Sequence, residues 1–204
     1  MGLSSDFIEG MYYAICQKSP TNTELASIVS LAKSTKDALS MIRNIPKAQP
    51  YMFQFHGLSC NWMDHFLCVG QQPTPFQAHC LAFSGINRFV DVTENEQDYT
   101  TCLPETVSYY KATVSNDEAN QALAIELAVK CVIEPLKSNQ RVYLHCQSGF
   151  SRSAIVASVV MAIRLKISYT EAMRVVKQRR PVAQPVMELL SRQDAATVIA
   201  KFSI

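Results

Sequence analysis

Tyr143-Leu-His-Cys-Gln-Ser-Gly-Phe-Ser-Arg-Ser153 is the stretch on which the reading of this chain turns. Five residues separate His145-Cys146 from Arg152-Ser153, and Gly149 stands at their centre. The run from Arg141 to His145, apolar at Val142 and Leu144, enters it as a strand. Ser153 to Leu165 leaves it as a nearly all-apolar helix, expected to be buried. Cys146 is thus placed where a strand hands over to a helix, and amide dipoles point at such a position.

Each residue type has a chemical use there. A free thiol titrates at about 8.5, and a helix N-terminus or nearby cation lowers that, so Cys146 is expected to serve as a thiolate nucleophile. Amides from Gln147 through Ser148, Gly149, Phe150 and Ser151 to Arg152 can cradle a phosphate, with Gly149 permitting the tight curvature. Arg152 can grip two phosphoryl oxygens in a bidentate fork. Ser153 can donate a hydrogen bond to the sulfur when it departs, and His145 is placed to orient the loop from beneath. A lone cysteine at a strand end is usually core packing, and a lone loop arginine or histidine usually lies at the surface. Four fixed residue types, one glycine, a strand before and a buried helix after reverse those odds.

Around this centre, strands alternate with helices. Phe66 to Gly70 reads as a buried strand, Thr74 to Phe83 as a helix closed by Gly85, Asn87 to Val92 as a second strand and Tyr109 to Val114 as a third. Asn120 to Ile133 suits a helix with Leu123, Leu127, Ala128, Cys131 and Val132 inward, kinked or ended by Pro135. Ser168-Tyr-Thr-Glu171 caps another helix, ended by Arg180-Pro181, and Pro185 to about Ala200 suits a last one. Strands alternating with helices over this spacing predict an α/β layer structure. Residues 1–61 differ. Thr21-Asn-Thr-Glu24 reads as a capping box, and Pro46 and Pro50 close a mainly helical N-terminal extension ahead of a domain spanning 62–204.

Composition bounds the function. The chain has 204 residues, is 48% apolar and carries a formal net charge of only +2, which argues against a nucleic-acid-binding protein. Seven cysteines at scattered spacings, with no Cys-x-x-Cys pair, argue against a zinc ribbon or redox dithiol and for a reducing compartment, cytoplasmic or nuclear. No signal peptide and no bilayer-spanning run is evident, so membrane insertion is not expected. Neither metal nor cofactor is implied, and oligomeric state is not legible.

The motif resembles the signature of the protein tyrosine phosphatase superfamily, and within it the dual-specificity phosphatases. Their His-Cys-x-x-Gly-x-x-Arg-Ser/Thr pattern is met by His145, Cys146, Gly149, Arg152 and Ser153. The likeness extends from about Trp62 to Ala195 and implies a central mixed sheet of four to five strands flanked by helices, and a metal-independent hydrolase acting on phosphoproteins through a cysteinyl-phosphate intermediate. It also implies a general acid from the loop after the third strand, here Val114-Ser-Asn-Asp-Glu118. Asp117 is the candidate by residue type, although the simplest strand alignment puts Asn116 at that place, and Glu118 is a further option. Asn116 or Asp117 has a competing reading as the cap of the next helix. Gln147, Ser148, Phe150 and Ser151 include no basic residue, unlike the family's phosphoinositide-directed members, so a phosphotyrosine or phosphoserine/threonine substrate is expected. A catalytically weak phospho-binding relative and a lipid or RNA phosphatase are the alternatives. The basic run Arg174, Lys177, Arg179 and Arg180 is expected to complement its helix C-terminus and face solvent.

Overall fold

The structure, a computed structural model, describes residues 58–94, 103–115, 121–186 and 189–202. The chain divides into two units, Met1–Leu58 and Ser59–Ile204. The expected N-terminal helices fall in the first and lie outside the described residues.

The second unit is built on a five-stranded mixed sheet. Its strands are β1 (Cys60–Trp62), β2 (Leu67–Gln71), β3 (Arg88–Asp91), β4 (Ser108–Lys111) and β5 (Val142–Cys146), in the spatial order β1-β2-β5-β3-β4. Among the described strands β1 alone runs antiparallel to its neighbour, and the other pairs are parallel. The helices are α1 (Pro75–Phe83), α2 (Ala122–Lys137), α3 (Arg152–Leu165), α4 (Tyr169–Arg179) and α5 (Arg192–Phe202). Central strands of a parallel sheet are covered on both faces, and so they read as continuous apolar runs rather than alternating ones. β5 shows this, with all five residues buried.

Alternation along the strands sorts the two faces. Leu67, Val69, Val90, Val142, Leu144 and Cys146 join the main core with α2, α3, α4 and α5. Cys68, Phe89, Asp91, Tyr143 and His145 point the other way and are likewise buried. α3 is buried at every position from Arg152 to Ala162, which accounts for its lack of a polar face. Lys166 ends it in a left-handed conformation, φ 54°. Ser168 and Glu171 then form the expected capping box of α4.

Several elements differ from the sequence reading, each for a physical reason. The strand β1 begins two residues before Trp62; with three half-buried residues it is too short to show a period. Leu123 and Leu127 are exposed rather than inward, because α2 turns Ile125, Ala128, Val129, Val132 and Ile133 to the core. Pro135 lies in the last turn of α2, and its carbonyl accepts from the Ser138 and Gln140 amides where the helix stops. The last helix starts at Arg192 instead of Pro185. Its start is set by Ser191, whose Oγ accepts from the Asp194 amide at 3.1 Å and bonds the Asp194 carboxylate at 2.6 Å. Among the described residues no helix is long and apolar enough to cross a membrane.

Candidate active site

Parallel strands deliver their C-terminal ends to one edge, and ligands in such sheets bind beyond that edge. β5 ends there on Cys146, which is buried and paired in register with Gln71 of β2. The chain then turns through 147–151 and enters α3 at Arg152, so the N-terminus of a buried helix opens directly beside the sulfur. Ser153, in the first turn of α3, places Oγ 3.3 Å from Cys146 Sγ.

The loop closes tightly over the end of β2. Gln72 N donates to the Gln147 carbonyl at 3.1 Å. Gly149 has φ 72°, and a Cβ at that position would lie 2.5 Å from the Gly70 carbonyl carbon and 2.6 Å from the Gln71 nitrogen. Both the left-handed backbone and the close approach of two main chains therefore require glycine. Gln147, Ser148 and Phe150 are exposed at the mouth, and Ser151 is half-buried.

Arg152 is 5% exposed. Its Nη1 donates to the Val114 carbonyl at 3.4 Å and to Glu94 Oε2 at 3.4 Å. These contacts tie the guanidinium to the segments following β4 and β3. Sequence reasoning missed Glu94, since a single carboxylate after a strand carries no pattern.

Arg180 corrects one expectation. Instead of facing solvent with its basic neighbours, it is completely buried under the loop. Nε donates to the Gly149 carbonyl at 2.8 Å, Nη1 to Asn61 Oδ1 at 2.8 Å and Nη2 to Ser59 Oγ at 3.2 Å. A planar guanidinium spreads its donors over three nitrogens and so reaches three acceptors set apart from one another, which the single ammonium nitrogen of lysine cannot match. Arg179 donates to the Met63 carbonyl, while Arg174 and Lys177 are exposed as expected.

Behind the loop, the strand register aligns Gly70, His145, Asp91 and Lys111 in one row across β2, β5, β3 and β4. His145 is fully buried, stacks on Tyr143 with ring centroids 5.6 Å apart, and has Nδ1 3.8 Å from Asp91 Oδ1. Burial pushes its imidazole down to about 4, against the pull of the Asp91 carboxylate, so the ring is neutral at physiological pH. Burial alone would raise Asp91. The charge of His145 and hydrogen bonds from Tyr109 and Thr93 outweigh that and hold the carboxyl below its usual range. With the imidazole neutral, the carboxylate is held by Tyr109 Oη at 2.7 Å, Thr93 N at 2.7 Å and Lys111 Nζ at 3.3 Å. Tyr143 Oη, on the same face, donates to the Gln71 carbonyl at 2.7 Å.

The structure thus brings together Cys146, Arg152, Ser153, His145 and the cradle residues 147–151. Asp117, with Asn116 and Glu118, lies outside the described residues.

Residues 67–192 match the family model of the dual specificity phosphatase catalytic domain. The chain is 30% identical over 113 residues to "Putative tyrosine phosphatase 067L" of Invertebrate iridescent virus 3, covering 53% of this chain and 47% of that protein. It therefore spans about half the length of that relative. Among solved structures, PTPMT1 superposes with a TM-score of 0.60 at 16% identity, covering 70% of this chain and 98% of that one. Human DUSP28 superposes with a TM-score of 0.55 at 19% identity, covering 71% and 92% respectively. These two likenesses are of fold. On the match over 67–192, the chain belongs to the dual specificity phosphatase catalytic-domain family.

Proposed function

We propose that this domain hydrolyses phosphate monoesters on phosphoproteins, at phosphotyrosine and at phosphoserine or phosphothreonine, through a cysteinyl-phosphate intermediate. The observation that carries the reading is the convergence at one helix start of Cys146 Sγ, Ser153 Oγ at 3.3 Å and the buried Arg152 guanidinium, around a loop closed by Gly149.

The ester phosphate sits in the cradle of loop amides 147–152, with Arg152 bridging two of its oxygens. Cys146 Sγ attacks phosphorus as the thiolate while the P–O bond to the substrate breaks. Asp117 gives its proton to the leaving oxygen, an assistance worth about 10²–10⁴ in rate. Water then attacks phosphorus, forming an O–P bond as the S–P bond breaks, and the Asp117 carboxylate takes one of the water's protons. The sulfur leaves as thiolate, stabilised by a hydrogen bond from Ser153 Oγ, and inorganic phosphate is released. Electrostatic stabilisation by fixed amides and guanidinium needs no reorganisation at the moment of reaction.

Protein substrates are favoured by the loop itself. Gln147, Ser148, Phe150 and Ser151 supply no cation beyond Arg152 to meet the extra phosphates of a phosphoinositide. The PTPMT1 fold has also been solved in complex with PI(5)P, and on that ground a lipid phosphatase is the second reading.

Initial rates on matched phosphotyrosine and phosphothreonine peptides, PI(5)P and triphosphorylated RNA, with Cys146→Ser as control, decide the matter. Peptide turnover abolished by Cys146→Ser is expected. Turnover confined to PI(5)P, or a wild type as inert as Cys146→Ser, overturns the reading.

A further inference from the structure

A groove of about 540 Å³ runs beside the phosphate loop, and nothing in the proposed chemistry uses it. One wall is the outer face of α4, with Met173, Arg174 and Lys177; the other is the segment Gln184, Pro185 and Val186. Positions three and four apart share a helix face, so Met173 and Lys177 present an apolar stem and a cation to the same channel. Arg174 and Lys177 are exposed, and among the described residues no carboxylate lines the groove. The nearest acid on α4, Glu171, is turned back onto Ser168, whose N and Oγ bond its Oε2 at 3.0 and 2.7 Å.

The groove is joined to the site by main chain. Gln184 N donates to the Phe150 carbonyl at 2.8 Å, and Val186 N donates to Ser151 Oγ at 3.3 Å. Its far wall is therefore pinned one hydrogen bond away from the residues that would hold the phosphate. Phe150 in the loop and Val186 in the groove wall are each 42% exposed, so both offer apolar surface to a bound chain. An extended chain advances roughly 3.3 Å per residue, so the part of a bound substrate that meets a groove hydrogen-bonded to the loop lies close in sequence to the phosphorylated residue.

We infer that this groove is a specificity subsite for the flanking segment of the phosphoprotein substrate, selecting carboxylate side chains close in sequence to the phosphorylated one. The assignment rests on the reading of the domain as a phosphoprotein phosphatase and names the substrate it prefers. The carboxylates meet Arg174 and Lys177, and the apolar lining of Met173, Pro185 and Val186 packs against the neighbouring side chain of the peptide. Cations at such a rim act on selection and encounter more than on the chemical step.

The test separates the groove from the chemistry. Binding is read by fluorescence polarisation of phosphopeptides on Cys146→Ser, which needs no turnover. Peptides with Glu flanks on either side are compared with Gln-flanked and Lys-flanked versions. On exposed ion-pair strengths, the Glu-flanked peptide is expected to bind about three- to tenfold tighter than the Gln-flanked one. Adding Arg174→Ala and Lys177→Ala should abolish that preference, and Arg174→Glu with Lys177→Glu should turn it towards the Lys-flanked peptide. In the background that keeps Cys146, the same substitutions should leave kcat/KM on p-nitrophenyl phosphate unchanged. A preference that survives both pairs of substitutions overturns the assignment. So does equal binding of all the peptides, or a loss confined to binding of anionic phospholipid vesicles. If wild type hydrolyses no phosphate ester while the charge-dependent preference holds, the activity reading fails and the groove assignment stands.

Discussion

Arg180 Nε donates to the carbonyl oxygen of Gly149 at 2.8 Å, from a side chain with no exposed surface. The middle residue of the 147–151 loop is thereby fixed to the end of α4, and the remaining guanidinium donors reach Asn61 and Ser59 in and beside β1. The shape of the cradle depends on an element some thirty residues downstream and on the edge strand upstream.

Replacing Arg180 with Ala strips three acceptors of their donor, at a cost of about 1–3 kcal/mol for each one left buried and unpaired. Arg180→Ala is expected to lower the urea midpoint and to reduce kcat/KM on p-nitrophenyl phosphate at least tenfold. Arg180→Lys should recover little, because an ammonium cannot reproduce the fork. Full recovery by lysine would show that charge alone suffices.

Ser153 Oγ, 3.3 Å from Cys146 Sγ, is assigned to the departure of sulfur in the second step. Ser153→Ala should keep the initial burst of p-nitrophenol and slow the following phase by about 10- to 100-fold, the equivalent of one hydrogen bond to a charged group. Stopped-flow absorbance reads both phases. A smaller burst with an unchanged steady rate would place the serine in the first step instead.

Asp117→Asn should slow a phosphotyrosine peptide by about 10²–10⁴ and p-nitrophenyl phosphate far less, since an activated leaving group needs little protonation. Matched kcat values on the two substrates test it. Equal losses on both, or none on the peptide, would remove Asp117 from the mechanism.

His145 gives stability a pH dependence whose sign is fixed. Its folded pKa is depressed from 6.5 to about 4, so the unfolded chain binds the proton first as pH falls. Its contribution is complete above about pH 6.5 and lost through the window down to about 4, a change of about 3 kcal/mol at most. Asp91, also held low, loses its contribution at more acidic pH in the same direction. Urea midpoints from pH 7 to 4.5 should fall more steeply for wild type than for His145→Asn. Parallel slopes would contradict the buried neutral imidazole.

The legible part of the chain was the part governed by short-range rules. The strand-to-helix handover at Cys146, the capping box at Ser168 and Glu171, and the glycine at 149 follow from local backbone chemistry, and the structure places them as read. What escaped depends on tertiary partners. Arg180 looked like one more helix-end cation, because burial beneath a distant loop leaves no local mark. Leu123 and Leu127 share a helix with the core face but lie outside its arc. Asp91 and Lys111 become neighbours of His145 only through the register of three strands that are far apart in sequence. Glu94 reaches Arg152 across 58 positions.

The central claim is that Cys146 itself becomes phosphorylated during turnover. Acid quenching of wild type within the burst phase on p-nitrophenyl phosphate, followed by peptide mass spectrometry, tests it most directly. One phosphoryl group on the peptide containing Cys146, absent from Cys146→Ser and enriched in Ser153→Ala, is the predicted result. Turnover with no phosphoryl group on that peptide at any quench time, or one on another residue, would contradict the account.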